Sequence, residues 1–297
     1  MRTAPWLLVQ FVTVGDDRPI AGIRVHDAIH ALPSGWPQTV LELLDDWSVW
    51  QSRLRALDPE SLSAVHDARL VAPITYPRKV LCAGANYYDH AEEMGTETPD
   101  PTAAPFFFLK PPTTTIVGPS ADVELPARSG ANVDWEAELG VVIADRCKSV
   151  PLEEARSHVA GYLVANDLSA RGLFSRPGAV FPPFAWDWLA HKGLDGFCPV
   201  GPGIVPWWFL EDADHLRLTL TVNGVTTQDS NTSNLVVGID GLISGASELI
   251  TLEPGDLILT GTPAGVGMPK GTFLSAGDVV AVQIEGIGRI ENRMVAA

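Results

Sequence analysis

Apolar residues at the start of the chain fall in two blocks, Trp6 to Val14 and Ile20 to Val25, separated by Gly15-Asp16-Asp17-Arg18-Pro19. Blocks of that length around turn chemistry predict two strands joined as a hairpin. The period then changes. Val40, Leu43, Leu44, Trp47, Trp50 and Leu54 recur at three- and four-residue steps, which predicts one amphipathic helix opened by Pro37 and ended before Pro59. A small and apolar stretch, Leu62 to Val71, runs into Pro73 to Pro77, where two prolines place a boundary near residue 75. Residues 1–75 are expected to form a small N-terminal α/β domain, and no chemistry is assigned to it.

From Lys79 onward the apolar runs are short and lie between Gly/Pro turns, as in Val80 to Cys82, Phe106 to Leu109, Leu216 to Val222 and Asp278 to Ile284. This spacing predicts an α+β, β-rich unit over 76–297, a roll or barrel in preference to a doubly wound parallel sheet. Two helices are expected within it. One follows Ser149, with Pro151 and the acids Glu153 and Glu154 in its first turn, and ends before Gly161; the other spans Val237 to Leu249.

Charge narrows the function classes. With 20 Lys plus Arg against 36 Asp plus Glu, the net charge is −16, so the basic footprint that nucleic acid or an anionic membrane requires is missing. No run approaches the roughly 20 apolar residues of a membrane span. The N-terminal block carries Gln10 at its centre and no small-residue cleavage site, and reads as a strand. Three cysteines, Cys82, Cys147 and Cys198, without C-x-x-C spacing suggest neither a disulfide framework nor a zinc ribbon, and a reducing cytoplasm is expected.

The residues with chemical potential are few. Glu136 and Glu138 sit one residue apart before the buried-type run Leu139 to Ile143, and on a strand they share one face. Two like charges there need a cation or a proton between them. An all-oxygen set suits Mg²⁺, Mn²⁺ or Ca²⁺ better than zinc, while a lone E-x-E is more often a solvated strand edge. His90 and Glu93, three apart, share a face of one helical turn, where a carboxylate fixes the imidazole tautomer and makes a general base; an ordinary surface pair has the same spacing. Lys110 and Lys192 lie in apolar company, as snorkelling side chains or as receivers of a substrate carboxylate or enolate. Gly261 to Gly267 follows a strand but lacks the G-K-[ST] ending of a phosphate loop; its N–H groups and the Thr262 hydroxyl could hold a carboxylate. H-E-x-x-H and G-x-S-x-G are absent.

Taken in order, these pieces resemble the fumarylacetoacetate hydrolase family over roughly residues 70 to 297. The resemblance is carried by Gly84-Ala85-Asn86-Tyr87 with Asp89-His90, Phe108-Leu109-Lys110-Pro111, Asp134-Trp135-Glu136-Ala137-Glu138, Asn166-Asp167-Leu168-Ser169-Ala170-Arg171, Lys192, and Thr260-Gly261-Thr262-Pro263-Ala264-Gly265. It implies a mixed β-sandwich roll and a homodimer. Glu136, Glu138 and Asp167 would bind Mg²⁺ or a similar ion. The activity implied is cleavage of a carbon–carbon bond in a β-diketone or acylpyruvate, with isomerisation or decarboxylation of 2-oxo and dienoate acids as alternatives and a non-catalytic metal-binding protein as a remoter one. In that scheme His90, oriented by Glu93, deprotonates water, Lys192 stabilises the departing enolate, and Lys110, Gly261 and Thr262 contact the substrate.

The chain also departs from the family. Gly172, Leu173 and Phe174 follow Arg171 where many relatives carry Asp and then Gln two residues later, and Gly193-Leu194-Asp195-Gly196 stands where Ser-Phe-Asp-Thr is common. Between them Phe181, Phe184, Trp186 and Trp188 suggest an apolar lid over a bulkier, less charged substrate, or simple surface packing.

Overall fold

The computed structural model describes residues 5–210 and 212–297, so residues 1–4 of the expected N-terminal domain and Glu211 lie outside the described residues. Two sheets carry the fold. The larger has eleven strands; its continuous path runs Ala28–Ala31, Asp16–Val25, Leu7–Thr13, Cys198–Pro206, Val159–Asn166, Ala137–Ile143, Leu257–Leu259, Val80–Ala83 and Phe107–Lys110. The second has five, Val225–Asn231, Arg217–Val222, Val279–Ile284, Gly288–Ala296 and Val123–Leu125. Most pairs are antiparallel, but Leu257–Leu259 runs parallel to Val80–Ala83 and Gly288–Ala296 parallel to Val123–Leu125, so both sheets are mixed. The fold is α+β and rich in β.

The central strands are buried on both faces, which explains why Ala137–Ile143 and Val159–Asn166 read as continuous apolar runs without alternation. Leu139, Val141 and Ile143 join Leu218, Leu220, Val280, Val282 and helix Ile239–Leu249 in one core. Val142, Leu163, Val200 and Leu257 join Leu43, Leu44 and Trp47 in the other. The N-terminal strands join this sheet through Leu7–Thr13, which pairs with Cys198–Pro206, with Leu8 opposite Ile204.

Local structure differs from expectation at three points. The helix predicted over 40–54 is two, Val40–Asp45 and Trp47–Arg55, because Asp46 adopts φ −132° and ψ 50° between them. Thr39 and Glu42 close the first with a reciprocal capping box, a motif that contributes about 1 kcal/mol. The segment after Ser149 forms a 3₁₀ helix, Leu152–His158, and not an α-helix. The hairpin turn is tighter than the five residues predicted, since Asp16 already pairs with Thr13 and Gly15 supplies the positive φ.

Candidate functional site

The ladder between Ala137–Ile143 and Val159–Asn166 places two carboxylates at one end of the sheet. Ala137 faces Asn166 and Glu138 faces Ala165. Just beyond, the Asp167 N–H donates to the Glu136 carbonyl at 2.9 Å and the Glu136 N–H donates to the Asn166 side chain at 3.0 Å. Glu136, Glu138 and Asp167 thus converge, all buried, each offering an oxygen within 4.8 Å of the others. These three could hold a metal ion. Glu136 itself precedes the strand, so the pair straddles the strand start where a continuous strand was expected.

Their electrostatic settings differ. Burial opposes ionisation of Glu136, but the Lys192 ammonium at 2.8 Å and the Arg171 guanidinium at 2.6 Å outweigh it and hold the carboxyl well below the usual range. Glu138 has no such partner. Burial first, then the neighbouring anions Asp167 and Glu136, push its carboxyl well above the usual range, with the Gly261 N–H at 2.7 Å opposing. Lys192 also donates to Asp167 at 2.7 Å; its burial is outweighed by the two carboxylates, which keep it protonated.

Lys110 occupies a different place from the one expected. Its Nζ donates to the carbonyls of Leu168, Lys192 and Phe197 at 3.0, 2.6 and 2.8 Å, which uses all three protons. It lies 2.7 Å from Asp167 Oδ1 as a charge, and that oxygen accepts no hydrogen bond. Fully buried and spent on backbone, Lys110 is not placed to receive substrate. The glycine loop is diverted in the same way. The Gly261 N–H serves Glu138, and Thr262 Oγ1 donates to the Ala137 carbonyl while accepting from Gln228 at 2.9 Å, so both donors are engaged within the protein.

His90 lies in helix Tyr88–Glu93, with Nδ1 3.3 Å from Glu93 Oε2. Glu93 accepts in turn from the Gly265 N–H at 3.0 Å. Asp89 accepts from Ala264 N–H at 3.3 Å, so two acids of this helix pin the 261–267 turn. His90, Glu136, Lys192, Arg171 and Thr262 line one cavity of about 300 Å³, whose apolar wall is Phe108, Phe174 and Trp188. Spacing arguments alone missed Arg171 as a member of this wall; its guanidinium bridges Asp134 at 3.0 Å and Glu136. Asp134, capped by the N–H groups of Gly267 and Met268, ties this wall to the glycine loop. His158, partly exposed, pairs with Asp145 away from this cavity.

The departures have steric causes. A Cβ at Gly172 would stand 1.7 Å from the Gly130 carbonyl, so a side chain does not fit there. Gly196 has φ +74°, a left-handed position.

The family model for the fumarylacetoacetate (FAA) hydrolase C-terminal region matches residues 79–295. The chain belongs to the fumarylacetoacetate hydrolase family. Over 97% of its length it is 38% identical to a mitochondrial oxaloacetate tautomerase, fahd2, of Xenopus laevis, covering 90% of that protein. Among solved structures, fumarylacetoacetate hydrolase from the psychrophile Exiguobacterium antarcticum superposes with a TM-score of 0.82 at 32% identity, over 98% of this chain and 100% of that one. Maleylpyruvate hydrolase from Sphingobium sp. SYK-6, in complex with manganese(II) and pyruvate, superposes at 0.75 with 30% identity, over 98% and 99%. Family members thus carry names for both hydrolysis and tautomerisation. Among the described residues no helix is long and apolar enough to cross a membrane.

Proposed function

We propose that this family member is a divalent-metal-dependent enzyme that moves a proton at the carbon next to the keto group of a 2-oxo acid, interconverting its keto and enol forms. The observation that carries the reading is the convergence of Glu136, Glu138 and Asp167 beside a cavity that has His90 on its wall. The donor set fits a hard cation. All three ligands offer oxygen, Asp167 Oδ1 is buried without a hydrogen bond, and four carboxylates with Asp134 face three cations, Lys110, Arg171 and Lys192. Bound there, a divalent cation would polarise the 2-oxo group. Mg²⁺ is the ion we favour, with Mn²⁺ and Ca²⁺ as substitutes.

The chain's own groups supply the rest. With Nδ1–H donated to Glu93, His90 keeps Nε2 as the basic nitrogen and takes the proton from carbon. Lys192 has two protons committed to Glu136 and Asp167 and a third for the enolate oxygen. Return of the proton to oxygen completes tautomerisation with no other reactant. The name of the tautomerase relative, similar over nearly the whole chain, supports this outcome.

A second reading, hydrolysis of an acylpyruvate, is favoured by the His90–Glu93 pair. His90 would take a proton from water as the oxygen adds to the distal carbonyl; the carbon–carbon bond then breaks, its electrons passing to the enolate beside Lys192, giving pyruvate and a carboxylic acid. Three buried, unpaired cysteines suit a reducing, cytoplasmic setting, and a homodimer is proposed with it. The test is a panel of oxaloacetate, acylpyruvates and hydroxydienoates with Mg²⁺ or Mn²⁺, followed by mass and absorbance above a metal-only control. Unchanged mass with altered absorbance is the expected result, addition of water and two fragments marks the second reading, and no conversion of any member overturns both.

A further inference from the structure

The far end of the cavity differs chemically from its carboxylate end. Phe108 stacks on Trp188 with centroids 5.0 Å apart, Phe174 meets Trp188 edge-on at 4.8 Å, and Trp186 stacks on the outer face of Phe174 at 4.8 Å. Met94 and Met268 complete this wall. The rings are one continuous array, yet Trp186 and Trp188 remain 55% and 36% exposed, so they flank an opening and are not sealed into the core.

Positive charge is spent elsewhere. Arg171 is neutralised by Asp134 and Glu136, and Lys192 by Glu136 and Asp167. His191, whose Nδ1 faces the Ala170 carbonyl at 3.2 Å, packs its ring on Phe174 at 4.6 Å. A dicarboxylate held by its 2-oxo acid end would bring its second carboxylate against aromatic faces, where among the described lining residues no Lys or Arg is uncommitted. A buried charge without a partner is costly, whereas an apolar ring there would lose water and gain edge and face contacts.

We propose that Phe108, Phe174 and Trp188 select a 2-oxo acid whose distal substituent is apolar and about phenyl-sized, in place of the second carboxylate of oxaloacetate-class acids. This rests on the 2-oxo acid reading of the carboxylate end and adds the substrate class. Trp188 and Phe174 act by contact with the substituent; the proton transfer itself is unchanged.

Inert mimics separate the two claims. Oxamate, N-phenyloxamate and N-oxalylglycine share the oxamate end and differ in what the nitrogen carries: hydrogen, a phenyl ring or a carboxymethyl group. Titrated into the protein with Mn²⁺ and followed by calorimetry and tryptophan fluorescence, N-phenyloxamate is expected to bind at least about 30-fold more tightly than N-oxalylglycine. In Trp188→Ala that ratio falls at least tenfold, and Phe174→Leu, a milder change, lowers it in the same direction. Tighter or equal binding of N-oxalylglycine overturns the selection while leaving the 2-oxo acid reading intact. An unchanged ratio in both variants overturns the assignment to these rings. No binding of any mimic overturns the 2-oxo acid reading and this inference together.

Discussion

Replacing Glu138 by Gln should stabilise the metal-free protein, the reverse of what removal of a buried charged group usually does. Glu138 is buried with Asp167 and Glu136 within 4.8 Å and no cation of its own. At an effective dielectric of about 20, each such repulsion is roughly 3.5 kcal/mol, and the Lys192 ammonium offsets about one of the two. Gln keeps an acceptor for the Gly261 N–H but loses its charge assistance, about 1–2 kcal/mol. Once Glu138 is ionised, the balance favours the variant by about 2 kcal/mol, roughly 4 °C in Tm for a chain of this size. The pH dependence has a definite sign. A carboxyl raised in the folded state binds its proton more tightly there, so Glu138's own contribution to metal-free stability is fullest below about 4.5 and is lost as pH rises through the raised value. Scanning calorimetry in chelator at pH 5 and pH 8 reads both effects, with Glu138→Gln gaining most at pH 8. Adding Mn²⁺ should raise the wild-type Tm and leave the variant nearly unmoved. A variant less stable than wild type in chelator at pH 8, or one that Mn²⁺ stabilises equally, refutes the electrostatic reasoning.

Three further outcomes follow from the same geometry. Lys110→Met strips the donor from three carbonyls and one of the two ammonium charges 2.7 Å from Asp167, and should cost about 3–5 kcal/mol in urea denaturation. Gly172→Ala should be destabilising by more than about 2 kcal/mol, because its Cβ would stand 1.7 Å from the Gly130 carbonyl; restoring the polar residue common in relatives at that position should fail for the same reason. His90→Ala should lower turnover about 10²- to 10⁴-fold with metal affinity unchanged by calorimetry, and Glu93→Gln less, since it only orients the ring.

Spacing along the chain carried the strands well, because Val80–Ala83, Phe107–Lys110, Arg217–Val222 and Val279–Ile284 are short apolar runs between turns and keep that signature when buried. The break at Asp46 was invisible, since Trp47 and Trp50 continue the apolar stripe across it. Glu136 and Glu138 converge as their spacing suggested, although Glu136 lies just before the strand on which alternation was argued, and the cations were not legible. Lys192 lies 56 positions from Glu136, and only the folded sheet end brings them to 2.8 Å. Lys110, Gly261 and Thr262 have the chemistry of substrate contacts, yet their donors are consumed by carbonyls and by Glu138, and nothing in a linear sequence distinguishes a donor that is free from one that is used. Gly172, a departure from the Asp of many relatives in sequence, is a packing requirement against Gly130.

Solvent exchange at carbon tests the central claim most directly. Pyruvate incubated in D₂O with the protein and Mg²⁺, followed by proton NMR of its methyl signal, reports proton removal next to the keto group whatever the natural substrate is. The account predicts deuterium uptake well above the metal-only rate, abolished by chelator and by His90→Ala. Exchange no faster than the metal-only control, or exchange that persists at full rate in chelator, would contradict it.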